Sequence, residues 1–134
     1  MERKRILLAD DHEGFLRRVR ALLDGHYEIV ASALDGEELV EAVRTLQPDL
    51  VISDITMPAM SGFEAILKIR SLGLKTKFIL LTVHSSPAYL RRALSLGVEG
   101  YVVKLHTVEQ LLTATAAVLG GETFISPQLG ILRE

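Results

Sequence analysis

The sequence predicts an α/β chain, a (βα)5 doubly wound sheet of five parallel strands, and three observations predict it. Short apolar runs at 6–9, 50–52, 79–81 and 101–103 lack polar alternation, the mark of strands covered on both faces, as in parallel sheets. Helix-period stripes fill the gaps between the runs, as crossover connections require. Each run also stops at or just before a polar residue, reaching Asp10-Asp11, Asp54, Thr82 and Lys104 in turn. Open α/β sheets bind their ligands at the carboxyl ends of their strands.

The elements follow in order. Strand one spans 5–10, and a helix with Phe15, Val19, Leu22 and Leu23 on one face follows. Asp24-Gly25 stops it, with Gly25 suited to a left-handed cap. Strand two is 27–33. Asp35, with Glu38 three residues later, opens a helix whose buried stripe is Leu39, Val43 and Leu46, and Pro48 closes it. Strand three is 50–54. After a loop at 55–61, Ser61 and Glu64 make a capping box for a helix carrying Phe63, Ile66 and Leu67, ended at Gly73.

Strand four is 78–82. Ser86-Pro87 starts the next helix, with Leu90, Ala93 and Leu94 inward and Gly97 at its end. Strand five is 100–104. Thr107 and Gln110 cap a last helix with the stripe Val108, Leu111, Leu112, Thr115, Val118 and Leu119, ended by Gly120-Gly121. Residues 1–121 form the domain, and 122–134, without periodicity, read as a tail or the start of a linker. The strand order taken for such a sheet is 2-1-3-4-5, flavodoxin-like, which puts the topological switch between strands one and three.

At 134 residues the chain has room for one ordinary domain. A net charge of −2 argues against nucleic-acid binding by bulk electrostatics. The absence of cysteine excludes disulfides, thiolate nucleophiles and Cys-based zinc sites, which fits a cytoplasmic setting. Met1-Glu2-Arg3-Lys4-Arg5 precedes no long apolar region, so it is not a signal peptide. No apolar run approaches the roughly 20 residues that cross a bilayer, so no membrane role is expected.

Three carboxylates converging on one crevice either take up protons or hold a cation. Hard oxygen ligands suit Mg2+, and a free carboxylate beside Mg2+ suits phosphoryl transfer onto an aspartate. Lys104 then pairs with the phosphoryl group, and Thr82 offers its hydroxyl. Taken singly, such an Asp is usually a turn former or cap, the Lys a solvated charge and the Thr a strand residue. Their joint placement at strand ends reverses those odds. His12, His26, His84 and His106 are scattered along the chain and read first as surface positions.

With these residues in place, the chain resembles a response-regulator receiver domain of two-component systems. The matching segments are Leu8-Ala9-Asp10-Asp11-His12, residues 54–62, Leu81-Thr82 and Gly100-Tyr101-Val102-Val103-Lys104. The resemblance covers residues 4–121. It implies that Asp54 accepts a phosphoryl group from a sensor histidine kinase. It also implies that Asp11, Asp54 and the Thr56 carbonyl ligate Mg2+, with Asp10 acting through water, while Thr82 and Lys104 hold the phosphoryl group. Such a chain is a signalling switch that acts only on its own phosphorylation, not an enzyme with turnover. Asp10-Asp11-His12 and residues 120–127 resemble the NarL/FixJ (LuxR-type) regulators. In these a helix-turn-helix domain follows, so the chain reads as a receiver piece of a transcription regulator, with a single-domain regulator as the alternative. DNA contact would come only through an output domain that this chain lacks.

Within that resemblance Thr82 and Tyr101 form the switch, with the ring turning from outside to inside on phosphorylation. Thr56 and His84 flank the path of the hydrolytic water and tune hydrolysis. The charge-poor last helix is either a homodimer face, shared with the first helix, or a helix tightly packed on the sheet. Two departures stand out. Val83 follows Thr82 where the family favours a small residue, and Leu105 follows Lys104 where many receivers have proline. Competing readings are a haloacid-dehalogenase-like Mg2+-dependent phosphatase, a Rossmann cofactor domain and an unphosphorylated interaction module. The first wants Asp-x-Asp on strand one, the second lacks Gly-x-Gly-x-x-Gly, and the third has Val83 as its support.

Overall fold

A computed structural model describes residues 2–129. Strands β1 (Arg5–Ala9), β2 (Glu28–Ala33), β3 (Leu50–Ser53), β4 (Lys77–Thr82), β5 (Gly100–Val103) and β6 (Phe124–Ile125) form one parallel sheet in the order 2-1-3-4-5-6. Helices α1 (Glu13–Leu23), α2 (Gly36–Leu46), α3 (Gly62–Ser71), α4 (Pro87–Ser95) and α5 (Thr107–Leu119) cover both faces. The doubly wound architecture and the order of the first five strands are as expected. The sixth strand is a correction to five. The segment read as a tail adds Phe124–Ile125 to the β5 edge, and Leu129 is buried in the core. A two-residue strand has no periodicity to read, so only its long-range partners reveal it.

Alternation along the strands builds two cores. Leu7, Ala9, Val51, Phe78, Leu80 and Tyr101 face α2, α3 and α4, meeting Leu39, Val43, Ile66, Ile69 and Leu90. Ile6, Leu8, Ile52, Ile79, Leu81 and Val102 face α1 and α5, meeting Leu16, Val19, Leu23, Leu111 and Val118. With both faces filled, no strand shows polar alternation, which is why the runs read as continuously apolar.

The caps set where the helices enter the carboxyl rim. The Asp35 side chain accepts from the amide of Glu38 (2.8 Å), while Glu38 Oε1 accepts from the amide of Leu34 (2.7 Å). Ser61 and Glu64 close the expected capping box, with bonds of 3.2 and 3.0 Å. Gly62 starts α3 directly under the carbonyl of Asp54, where a Cβ would clash with backbone, so only glycine fits.

Several local expectations are corrected. Gly25 does not take a left-handed conformation, because α1 unwinds through turns in which His26 and Tyr27 both donate to the Leu23 carbonyl (2.9 and 3.0 Å). Leu16 rather than Phe15 is buried on α1. On α3, Ala65 and Ile69 are buried while Leu67 is exposed. On α5, Val108 is 75% exposed and Leu112 is exposed as well, while Thr107, Gln110 and Ala114 face inward. Thr107 does not cap the helix from outside; it is the first helical residue, and its hydroxyl donates to the carbonyl of Lys104 (2.7 Å).

Thr115 is fully buried on α5, and its hydroxyl has no hydrogen-bond partner among the described residues. A desolvated hydroxyl left unpaired costs on the order of 1–3 kcal/mol. Thr115→Val, which keeps the shape, is expected to stabilise the domain by about 1 kcal/mol, read as a raised midpoint in urea at unchanged slope.

Candidate functional site

The strand register brings the polar ends together. The amide of Asp54 donates to the carbonyl of Ala9 (2.9 Å), and that of Asp10 to the carbonyl of Ala33 (3.0 Å). The ladder hydrogen bonds of β1 with β2 and β3 thus continue to the residues that carry the acids. Asp10 and Asp54 are buried, and Asp11 stands beside them, exposed. Lys104 opens a short 3₁₀ turn, Lys104–His106, just after β5 instead of ending the strand.

Lys104 closes the group. Its Nζ lies 2.7 Å from Asp10 Oδ2 and 3.2 Å from Asp54 Oδ2. It also sits 4.5 Å from the ring centre of Phe15, a cation–π contact that walls the crevice from the α1 side. Burial works against the ammonium charge, but the hydrogen bond to Asp10 and the charges of Asp54 and Asp10 outweigh it, so its pKa lies above the ordinary lysine value. Asp54 Oδ1 accepts from the amide of Ile55 (2.7 Å). Asp10 Oδ1 accepts from the amide of His12 (2.9 Å), and Nδ1 of His12 lies 3.1 Å from Asp10 and 3.2 Å from Asp11.

A second chain of contacts lies across the rim. Nε2 of His84 meets the hydroxyl of Thr56 at 2.9 Å. The amide of His84 donates to the Thr82 hydroxyl (3.2 Å), and its carbonyl accepts from the Tyr101 hydroxyl (2.7 Å). Its ring stacks on Tyr89 at 4.0 Å and 3°. Tyr101 is already turned inward and only 1% exposed, so the outside position expected before switching is not the one seen. Burial first, then the charges of Tyr89 and Asp54, push its phenol well above the ordinary tyrosine range, which keeps it a donor.

Asp10, Asp54 and Lys104 thus share one ion-paired group, joined by Asp11 and His12. Thr56, Thr82, His84 and Tyr101 share one hydrogen-bonded group. Among the described residues no hydrogen bond joins Thr82 to Asp54. Val83 is 67% exposed, so its bulk stands largely in solvent. Leu105 is 82% exposed, and the peptide before it is trans, as expected for a residue other than proline. Between the acids and α3 the loop turns sharply at Ala59, whose φ is 67°, as the amide of Met60 reaches back to the carbonyl of Pro58 (2.7 Å). This tight turn is of the strained kind. The sequence reading had passed over His12 and Phe15.

The donor set fits a hard divalent cation. Two buried carboxylates share a single ammonium, and the carboxylate of Asp11 lies within 4.8 Å of Asp10 and His12 ligand atoms. Three negative charges facing one positive leave an excess that a dication offsets, and carboxylate oxygens are what Mg2+ prefers. No helix among the described residues is long and apolar enough to cross a membrane.

Comparison with known proteins agrees with this geometry. Residues 6–116 match the response regulator receiver domain family. The chain is 34% identical over 126 residues to the transcriptional regulatory protein DesR of Bacillus subtilis, covering 92% of this chain and 62% of DesR. Two further transcriptional regulatory proteins are covered over 64% and 53% of their lengths, so the chain spans less than two thirds of such relatives. Among solved structures, the signal receiver domain of the response regulator NarL from Mycobacterium tuberculosis superposes with a TM-score of 0.86 at 30% identity, covering 91% of this chain and all of that one. The isolated receiver domain of RcsB from Salmonella enterica, solved with the phosphomimetic BeF3-, gives 0.90 at 27% identity, covering 98% of this chain and 99% of that one.

Proposed function

The chain belongs to the response regulator receiver domain family, with LuxR-type transcription regulators as relatives, and from that premise we propose that Asp54 is its phosphoacceptor. The donor is the phosphohistidine of a sensor kinase. A carboxylate oxygen of Asp54 attacks phosphorus; the new O–P bond makes an acyl phosphate as the P–N bond breaks, and the leaving imidazole takes a proton. The observation that carries this reading is Lys104 bridging Asp10 and Asp54 at the ends of three strands.

Each residue has a task in that step. The Ile55 amide fixes Asp54 Oδ1. Lys104 exchanges its carboxylate partner for a phosphoryl oxygen and follows the charge with its flexible stem. Among the described residues the Thr82 hydroxyl only accepts, from the amide of His84, so its own proton is free to donate to a second phosphoryl oxygen. Asp10, Asp11, Asp54 and the Thr56 carbonyl would hold Mg2+, with Asp10 acting through water; when bound, it offsets charge on the phosphoryl oxygens. Thr82 moving toward the phosphoryl group relieves crowding around the ring of Tyr101, which already lies inward, and so holds it there.

The test is the mass gain of one phosphoryl group on incubation with a small phosphodonor and Mg2+. No gain in the wild-type chain would leave an unphosphorylated interaction module, and turnover of a phosphate ester would favour a phosphatase. Thr56 and His84 line the approach of a hydrolytic water. Exchanging either is expected to change the lifetime of the phosphorylated state more than its formation, followed by the decay of the phosphoprotein band. Equal lifetimes would remove both from the site.

The setting is cytoplasmic, and DNA is reached through an output domain beyond this chain. Val108 and Leu112 on the last helix, and Leu105 in the turn before it, expose apolar side chains. A second copy of this chain fits that stripe, with α1 beside it. Sedimentation with and without BeF3- is expected to show a phosphomimetic-dependent dimer. A monomer in both leaves tight packing on the sheet as the helix's only role.

A further inference from the structure

The segment after α5 is fastened to the rim that carries Lys104. Ser126 is fully buried. Its hydroxyl donates to Oε1 of Gln110 on α5 (2.6 Å) and accepts from the amide of Val103 (3.0 Å), the residue before Lys104. Its amide donates to the carbonyl of Tyr101 (2.8 Å). Gln110 Nε2 donates in turn to Oε1 of Gln128 (2.9 Å). Leu129 is 3% exposed and belongs to the same core cluster as Tyr101 and Leu90.

These contacts make one connected path. Thr82 is bonded to the amide of His84, the carbonyl of His84 to the side chain of Tyr101, and the carbonyl of Tyr101 to Ser126. A shorter path runs from Lys104 through its neighbour Val103 to the Ser126 hydroxyl. Thr82, Tyr101 and Ser126 along these paths are buried, and the bonds that join them through His84 and Val103 are partly so. A move that broke one bond would leave a desolvated group unpaired, so neighbouring members move together or not at all.

Resting on the phosphoacceptor reading of Asp54, we propose that residues 124–129 are a latch whose docking on β5 and the phosphoryl occupancy of Asp54 strengthen each other. The direction follows from Tyr101. The docked latch holds its carbonyl and packs Leu129 into its core cluster while the ring points inward. The ring already lies inward here, joined to Thr82 through the backbone of His84, and a phosphoryl group that draws Thr82 away from the ring leaves that inward position less crowded and so favours it further. Coupling of two equilibria is reciprocal: the phosphoryl group tightens the latch by the factor by which the latch tightens the phosphoryl group.

Hydrogen exchange of the full chain tests this, with BeF3- and Mg2+ as the phosphomimetic. Exchange at the amides of Phe124, Ser126 and Val103 is expected to slow by about fivefold or more on binding. Ser126→Ala is expected to weaken BeF3- binding by about fivefold or more, and Gln128→Ala to weaken it less, in the same direction. Should Ser126→Ala fail to fold, Gln128→Ala with its exchange profile decides. Unchanged latch exchange on binding, or wild-type affinity in variants whose latch exchanges fast, overturns the proposal and leaves the phosphoacceptor reading intact. A wild-type chain that binds no BeF3- overturns both.

Discussion

Asp54→Asn is expected to abolish phosphoryl uptake, with no mass gain under conditions that load the wild-type chain. The amide keeps the shape; its one oxygen can still accept from the amide of Ile55, and Lys104 Nζ keeps its bond to Asp10. It removes the nucleophile, however, because a carboxamide oxygen does not carry the charge that attacks phosphorus. No neighbour replaces it. Asp10 is buried and already engaged by Lys104 and His12, and Asp11 stands beside it on the other side of the ion pair. The same variant loses one of the charges that crowd the rim, so its folding stability is expected to match or exceed that of the parent chain. Loss of uptake with undiminished stability separates chemistry from collapse. Continued loading at one equivalent would move the acceptor elsewhere.

Lys104→Met is expected to have the largest effect on stability, a loss of about 2–4 kcal/mol at neutral pH. Removing one partner of a buried pair leaves the other uncompensated, and here two carboxylates lose the same ammonium. The open mouth of the crevice keeps the value toward the lower part of that range. Mg2+ is expected to return part of the loss by taking over the neutralising role, seen as a cation-dependent rise in melting temperature. The pH dependence has a definite sign. The pKa of Lys104 is raised in the folded chain. Its contribution is therefore complete below the unfolded ammonium value of about 10.4 and is lost as pH rises through the higher folded value. The stability gap attributable to the ammonium charge is expected to stay level from neutrality to mild alkalinity and to narrow only in strong alkali. A gap that closes between pH 7 and 9 would contradict this assignment.

Why the sheet and the acids were legible follows from the same physics. A strand covered on both faces has no reason to alternate, so Leu50-Val51-Ile52 stands out, and the polar residue that ends such a run marks the rim. Capping chemistry is equally local, which is why Asp35, Ser61 and Glu64 were read correctly. Apart from the caps at Gly25 and Thr107, the failures are non-local. The inner face of α5 is built partly from Thr107 and Gln110, which hydrophobic periodicity does not count, so Val108 and Leu112 were placed inside. The β6 segment depends on partners at Tyr101, Val103 and Gln110, all at least 14 residues away. His12 belongs to the acid group by backbone geometry at the start of α1, which no residue count conveys.

Tyr101 and Val102 are adjacent in sequence yet lie in opposite cores, one beneath α2 to α4 and the other beneath α1 and α5. The sheet between them is a partition one peptide thick. A rotamer change at Tyr101 spends its steric effect in one compartment, whereas a slide of β5 along its axis is felt in both. Side-chain signals and backbone signals from the same strand are therefore separable by address. Substitutions that fill space beside Val102 can retune assembly on the α1–α5 side while the ring opposite keeps its own equilibrium.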